Sequence, residues 1–202
     1  MEQMFMQYVQ PPSSSGPDHH HHQEPQQQHH KMHGFVIRVS MPMEVLLMFR
    51  KSIQQDRELC LPIKKGKVAP VSMRDVAHGW MKLMEKYQKR SFDELHQSHK
   101  HGIMCFTGPE LVTGHHMAQE ASEALDTEIH YKHVSEHEFA KYLQQIGQLS
   151  KEEIEVCVEA TENVEQGRME EQTKDLEKLL GKKPMCLRDF FEHHEDEFKP
   201  SH

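Results

Sequence analysis

Short apolar segments alternate with helical patterns from Gly34 almost to the end of this chain. Residues 35–39 (FVIRV) form a compact run rich in β-branched side chains, which is typical of a strand buried on both faces. Further extended runs occur at residues 59–61, 68–71, 103–107 and 129–134, with helical patterns between them. This alternation predicts an α/β fold.

Several of the predicted helices begin at side chains that can cap them. Thr113 precedes an apolar pattern that runs to Leu125, and the segments 72–75, 135–138 and 150–153 each place an acidic residue three positions after a serine. In such a capping box the serine hydroxyl accepts a hydrogen bond from the backbone N–H of the acidic residue, and the acidic side chain accepts one from the backbone N–H of the serine. These segments therefore predict helix starts.

The first 33 residues differ in composition from the rest of the chain. They contain the run PPSSSGP, four consecutive histidines at 19–22 and three consecutive glutamines at 26–28. Such a segment buries too little apolar surface to offset the entropy lost on ordering. We therefore expect a disordered tail over residues 1–33, an α/β lobe over residues 34–195, and a second short tail over residues 196–202.

The net charge and the hydropathy of the sequence argue against some classes of partner and some cellular locations. The 32 acidic residues outnumber the 24 basic residues, giving a formal net charge of -8, which argues against a nucleic-acid partner. No apolar run approaches the ~18 residues that span a bilayer, so no membrane partner is predicted. Without a recognisable secretory signal, and with four widely spaced cysteines, we expect a cytoplasmic protein, with the nucleus as a second possibility.

The local signatures of several enzyme classes are missing from the sequence. It contains no G-x-G-x-x-G dinucleotide turn, no P-loop, no G-x-S-x-G elbow and no tyrosine followed four positions later by lysine. The 19 histidines include no HExxH motif, and His130 and His133 would point to opposite faces of a strand. No metal site is predicted.

Four ordered segments resemble the C-terminal half of the NmrA-like family, whose members are atypical short-chain dehydrogenase/reductase relatives that bind NAD(P). They are GFVIRVSMPMEVLL, then GKVAPVSMRDVAHG, then CFTGPELVTG, and finally LLGKKP followed by LRDFF. The resemblance covers residues 34–192 and implies a partial Rossmann-like fold. The glycine-rich first half of the family has no counterpart in this sequence, where the His/Gln/Pro-rich tail stands instead.

The resemblance also implies where a cofactor and a substrate would lie. By this likeness, residues Arg38, Ser40, Met41 and Pro42 would contact NAD(P). The substrate cleft would be lined by Met43, Glu44, Val68 and Pro70. Because the glycine-rich half is absent, we expect that this chain does not bind NAD(P) by itself.

Three hypotheses on function remain open from the sequence. The first is a truncated NmrA-like protein with a redox-sensing, cofactor-sensing or partner-binding role and little catalysis of its own. The second is an NAD(P)H-dependent reductase of the quinone, azo or isoflavone type, completed by a separate N-terminal half. The third is a binding module whose acidic helices engage a basic partner. Where this chain stands alone without the glycine-rich half, residues 35–39 would be exposed, and we expect them to bind another protein or a second copy.

Overall fold

The computed structural model describes residues 36–89 and 103–199, and the expected tail over residues 1–33 lies outside these ranges. By its contacts the chain divides into two units, residues 1–32 and 33–202, and the described elements all belong to the second. The strands are β1 (Val36–Val39), β2 (Glu58–Leu61), β3 (Ile103–Phe106) and β4 (His130–His133). A 3-10 helix (Met43–Phe49) precedes α1 (Arg50–Asp56), and the other helices are α2 (Met73–Lys89), α3 (Gly114–Leu125), α4 (Glu136–Ile146), α5 (Lys151–Glu165), α6 (Asp175–Leu180), α7 (Leu187–His193) and α8 (Glu195–Phe198).

Within the described residues the strands form two parallel pairs rather than one continuous sheet. Strand β1 pairs with β3, with Val36 opposite Ile103, and β2 pairs with β4, with Glu58 opposite His130. Parallel neighbours require long crossover connections, which the intervening helices supply. The predicted α/β class is therefore confirmed, and the extended run at residues 68–71 contributes only isolated bridges to the rest of the fold.

The burial on both faces that is typical of such an apolar run is not observed for β1. Val36 is 53% exposed and Val39 is 39% exposed. The cause is the position of the strand: among the described residues β1 is paired along one edge only, with β3. A parallel strand normally has neighbours on both edges and helices over both faces, and β1 has neither in full.

Helix starts follow the capping side chains that the sequence indicates. The Thr113 hydroxyl accepts from the His116 N–H at 3.3 Å at the start of α3. Helices α4 and α5 each begin with a complete capping box, at Ser135 and Ser150 respectively. Their serine hydroxyls accept from the N–H three residues on, at 3.2 Å in both helices. These bonds satisfy N–H groups that the helix itself leaves unpaired.

The main core lies around the 3-10 helix, α3, α4 and the C-terminal helices. Phe49 is fully buried and stacks on Tyr142 at a ring-centroid distance of 5.5 Å. A smaller cluster lies beneath α2, where Met104 and Phe106 of β3 meet leucines of α2 and α6. Gly79 permits this approach, since a Cβ there would lie 2.4 Å from the Leu176 side chain.

The folded part of the chain continues beyond the boundary expected at residue 195. Helix α8 places Phe198 at 2% exposure, with its ring 5.1 Å from that of Phe191. The Gln54 side-chain amide donates to the carbonyls of Glu197 and Lys199 at 2.9 and 3.1 Å. Phe198 is therefore part of the core packing, and Gln54 of α1 holds the chain up to Lys199. Across the described ranges, no helix is long and apolar enough to cross a membrane.

Candidate functional site

A cavity of about 360 Å³ opens at the carboxyl ends of β1 and β3. In open α/β sheets this edge is where ligands bind, because loops diverge there and leave a crevice. The lining comes from the ends of both strands and from the segment after α5, and comprises Arg38, Val39, Ser40, Cys105, Thr107, Arg168, Met169 and Glu171. Two strand ends and a remote segment therefore meet at one place.

Main-chain bonds hold the two strand ends in position. The Ser40 N–H donates to the Phe106 carbonyl at 3.0 Å, which extends the β1–β3 ladder to the rim of the cavity. The Thr107 hydroxyl donates to the Thr173 carbonyl at 3.2 Å and accepts from the Thr173 N–H at 3.0 Å. This reciprocal pair ties the segment before α6 to the end of β3.

Helix α6 is fastened to the same strand from its first turn. The Cys105 N–H donates to the Asp175 carboxylate at 3.0 Å, and the Thr173 hydroxyl donates to the Cys105 carbonyl. Both bonds use main-chain groups on the outer edge of β3, where no further strand pairs in the described structure. The wall of the cavity is therefore fixed by side chains in place of a neighbouring strand.

The ionisable side chains around the cavity are of mixed sign. Arg38 and Arg168 bring two guanidinium groups and Glu171 brings one carboxylate. Arg168 is held by the side chains of Asn163 and Gln166. Burial raises the pKa of the Cys105 thiol, and the neighbouring Glu171 carboxylate raises it further. Cys105 is therefore protonated at neutral pH and is a poor nucleophile.

Ser40 carries a polar atom that the protein does not satisfy. Its hydroxyl oxygen is buried and has no hydrogen-bond partner, a condition that it shares with one carboxylate oxygen of Glu44. Leaving a buried hydroxyl unpaired costs about 1–3 kcal/mol, so such atoms call for an explanation. Ser40 also lines the cavity, where a polar group of a ligand would form a hydrogen bond with its hydroxyl.

The structure brings together only part of the site that the resemblance implied. Arg38 and Ser40 line the cavity, whereas Met41 and Pro42 bond along the main chain to Val71. The Val71 N–H donates to the Met41 carbonyl at 2.9 Å, and Pro42 forms an isolated parallel bridge with the same residue. These two residues therefore hold the loop after β1 in place.

The residues assigned to a substrate cleft lie elsewhere. Met43 and Val68 are 1% and 0% exposed, and Pro70 is also buried, so all three belong to the interior. Glu44 is half-buried and accepts from the Met73 N–H at 2.9 Å, which joins the 3-10 helix to the start of α2. The segment after β1 thus runs from the sheet edge into the core, and of the eight residues that the resemblance implied only Arg38 and Ser40 line this cavity.

Several residues of the cavity were not identified from the sequence. Cys105 reads as a core residue because it lies inside the apolar run IMCFT, yet in the structure it is only half-buried. Thr107 could have been identified from the sequence, because it begins the TGPE element that follows the strand. Arg168, Met169 and Glu171 lie in an irregular segment without periodicity or motif, so no local pattern indicates them.

A larger cavity of about 730 Å³ lies between the first turns of α2, the loop before α7 and residues 109–110. Its two sides are joined by Asp75, which accepts from the Met185 N–H at 2.6 Å. Its charges balance, with three basic residues (Arg74, Lys182, Lys183) against three acidic ones (Asp75, Glu110, Asp189). The described residues contain no group of three or more His, Cys, Asp or Glu side chains placed to hold a metal ion.

Comparison with solved structures finds the same fold at low sequence identity. A nucleoside-diphosphate-sugar epimerase from Staphylococcus aureus matches with a TM-score of 0.61 and 19% identity, over 77% of this chain and 50% of that one. An NADPH-dependent quinone oxidoreductase from Escherichia coli, complexed with NADPH, matches at 0.64 and 18%, over 77% and 51%. A Citrobacter sp. triphenylmethane reductase complexed with NADP(H) matches at 0.61 and 14%, over 77% and 51%.

No protein-family model matches the sequence, and no curated protein matches it. The likeness to the solved structures therefore concerns the fold. The chain spans about half the length of each of these structures. It has the Rossmann-like α/β fold of NAD(P)-dependent reductases and epimerases, over the part of that fold which it spans.

Proposed function

We propose that this chain is an NmrA-like protein that acts by binding, in a cofactor-sensing or partner-binding role, with little catalysis of its own. The observation that carries the proposal is the cavity at the carboxyl ends of β1 and β3. Arg38 and Ser40 line this cavity, and the Ser40 hydroxyl has no hydrogen-bond partner within the protein.

Neither the thiol nor the threonine hydroxyl of the cavity is suited to transfer a proton. Cys105 is a neutral thiol of raised pKa, and the Thr107 hydroxyl is engaged with Thr173. Tyr131 and Tyr142 donate to the carbonyls of Leu61 and Met48, each at 3.1 Å. Burial raises the pKa of both tyrosines to about 12. Neither tyrosine lines the cavity, and neither is tuned for acid–base work at neutral pH.

The described residues fit only one end of a dinucleotide. A pyrophosphate normally binds on N–H groups of a glycine-rich turn at the start of a helix. Here β1 leads through Ser40, Met41 and Pro42 into a 3-10 helix, without a glycine, and Pro42 has no N–H to donate. The Ser40 hydroxyl and the Arg38 guanidinium suit a carboxamide or a single anionic group. NAD(P) bound at this edge would supply hydride chemistry, while these two residues would orient its nicotinamide end.

The second candidate is an NAD(P)H-dependent reductase that a separate polypeptide completes. It is favoured by the match to reductases complexed with NADPH or NADP(H), of which this chain spans about half. A completing polypeptide would bring the phosphate-binding turn. In both candidates this chain alone holds only one end of the cofactor, and they differ in whether a completing polypeptide confers NADPH oxidation.

Calorimetric titration of the full chain tests the ligand binding that both candidates assign to it. We expect NADPH to bind no tighter than about 1 mM, equivalent to roughly 4 kcal/mol, and nicotinamide mononucleotide to bind within a few-fold of it. Equal affinities are expected because only the nicotinamide end finds partners. Ser40→Ala and Arg38→Gln should weaken both ligands, whereas Arg50→Gln, on the far side of the 3-10 helix, should not.

A low-micromolar constant for NADPH, with the fragment at least tenfold weaker, would contradict the binding proposal. Oxidation of NADPH by a simple quinone in the presence of this chain alone would do the same. Either result would also contradict the second candidate, because both candidates give this chain only one end of the cofactor. Oxidation that occurs only when a completing polypeptide is added would favour the reductase. If neither NADPH nor nicotinamide mononucleotide binds, the cavity is not a site for this cofactor, and only the partner-binding role remains.

A further inference from the structure

The exposed apolar side chains of the described structure are concentrated on two elements. Seven large apolar side chains are exposed, and six of them lie on β1 or α2: Val36, Val39, Met73, Trp80, Met81 and Met84. The seventh, Val156, lies on α5. A cluster of this kind on one surface marks a contact with another molecule more often than chance scatter does.

Four residues of α2 form a stripe with the spacing of a helix–helix contact. Met73, Ala77, Trp80 and Met84 are separated by four, three and four positions, and all four are exposed. At about 100° per residue they fall within an arc of roughly 60°. The opposite flank is already occupied, because Gly79 contacts Leu176 of α6. We call these four residues the α2 stripe; nothing in the described structure packs over it.

We propose that the α2 stripe binds the same stripe of a second copy of this chain, with the two helices antiparallel. A two-fold axis midway between Ala77 and Trp80 sets Trp80 against Ala77 of the second copy. The same axis sets Met73 against Met84. The largest side chain of the stripe thus meets the smallest, which is the alternation that lets two helices approach closely. The stripe is complementary to itself only in this orientation.

Charges beside the stripe favour the same orientation. Arg74 and Glu85 lie on one flank of α2, and both are exposed. Antiparallel packing brings Arg74 within about 3 Å, along the helix axis, of Glu85 in the second copy, and symmetry repeats the pair. Parallel packing would instead separate Arg74 from Glu85 of the second copy by 11 residues, or roughly 16 Å, along the helix axis. Ion pairs at the rim of an interface add little affinity but select orientation.

The available area suits a dimer of modest affinity. The exposed parts of the four large apolar side chains of α2 (Met73, Trp80, Met81 and Met84) amount to roughly 380 Å², if a large side chain exposes about 200 Å² in full. A standard interface buries about 800 Å² per partner, and about 65% of a homodimer interface, or roughly 520 Å², is apolar. The apolar surface of α2 is therefore smaller than that of a standard homodimer interface, which agrees with a dimer of modest affinity. This proposal stands apart from the cavity and its ligand.

Trp80 provides a built-in reporter, because the chain contains a single tryptophan. The full chain is examined by sedimentation and by tryptophan emission from about 1 to 200 µM. We expect a monomer–dimer equilibrium in which the emission shifts to shorter wavelength as the dimer forms. Met84→Glu should weaken association at least tenfold. The matched control, Val156→Glu, places the same charge on an exposed apolar site of α5 and should leave it unchanged.

The charge pair gives a test of orientation. Arg74→Glu and Glu85→Arg should each weaken the dimer a few-fold, and the double variant should restore it. Circular dichroism and the thermal unfolding midpoint of each variant show that the monomer remains folded. A monomer throughout the concentration range would overturn the proposal. A dimer sensitive to Val36→Lys but not to Met84→Glu would place the contact on the edge of β1 and overturn it as well. Failure of the double variant to restore association would overturn the antiparallel arrangement.

Discussion

The carboxylate of Glu165 collects three main-chain bonds at the end of α5, and we expect its loss to be measurable. One of its oxygens accepts from the N–H groups of Lys64, Lys65 and Gly66, at 2.6, 2.9 and 3.1 Å. The turn at residues 64–66 has no other anchor of this kind in the described structure. Glu165→Ala should therefore release the turn, and Glu165→Gln should hold it less firmly.

The magnitude follows from the strength of such bonds and their exposure. A hydrogen bond to a charged group contributes about 1.5–3 kcal/mol, but three donors share one oxygen here, and the site is open to solvent, which screens it. We expect Glu165→Ala to lower the free energy of unfolding by about 2 kcal/mol, and Glu165→Gln by about 1 kcal/mol, because the amide oxygen still accepts. Glu159→Gln, an exposed glutamate of the same helix, is the matched control.

The pH dependence of the unfolding free energy distinguishes the contribution of the Glu165 charge from that of the shape of its side chain. Bonds from the N–H of Lys65, then of Gly66 and Lys64, lower the pKa of Glu165 in the folded protein. The stability that the Glu165 carboxylate contributes to the folded protein is thus fully present above its unfolded-state pKa of about 4.3. It is lost as the pH falls through the folded-state pKa. Urea unfolding should show a constant difference between wild type and Glu165→Gln from pH 7 to about 5, which narrows by pH 3.5. An unchanged difference at low pH, or a value equal to that of the control, would refute this account.

Three further substitutions test how the fold positions the cavities, each by chemical unfolding at neutral pH. Gly108→Ala would place a Cβ 1.8 Å from the Pro70 carbonyl oxygen and should cost about 2–3 kcal/mol; a neutral effect would contradict the close approach. Asp75→Ala leaves the N–H of Met185 without its 2.6 Å partner and should cost about 1–3 kcal/mol, whereas Asp75→Asn should retain most of that stability. Ser150→Ala removes the cap of α5 and should cost about 1 kcal/mol, with a loss of under half that amount arguing against the capping box.

Local signals in the sequence predicted most of the secondary structure because they depend on neighbouring residues. Thr113, Ser135 and Ser150 cap helices in the structure as their spacing indicates. Strands β1, β3 and β4 lie within the apolar runs identified for them, and β2 begins one residue before its run, at Glu58. The burial of β1 was mispredicted, because burial depends on which elements pack against the strand, and no local pattern reports that.

The cavity was only half predicted, for a related reason. Arg38 and Ser40 lie where the family resemblance implied, since the end of a strand is a local feature. Arg168 and Glu171 reach the same place from more than 100 residues further along the chain. Met43 and Val68, which the resemblance assigned to the cleft, are buried. Long-range packing decides which of two neighbouring residues faces a cavity, and a single sequence carries little information on it.

The interleaved strand pairs have a consequence for how the chain folds. Strand β1 can form its ladder only after β3 is in place, and β2 only after β4. Each pairing joins residues about 70 positions apart, so the chain has a high contact order for its helical content. Neither pair can form as a local hairpin, and the entropy of closing both loops is lost before either ladder is gained. Helices α4 and α5, which adjoin in sequence and carry their own caps, are the natural elements to form early. Refolding from denaturant should therefore be slow, and dilute conditions should favour the native state over association of unpaired strands.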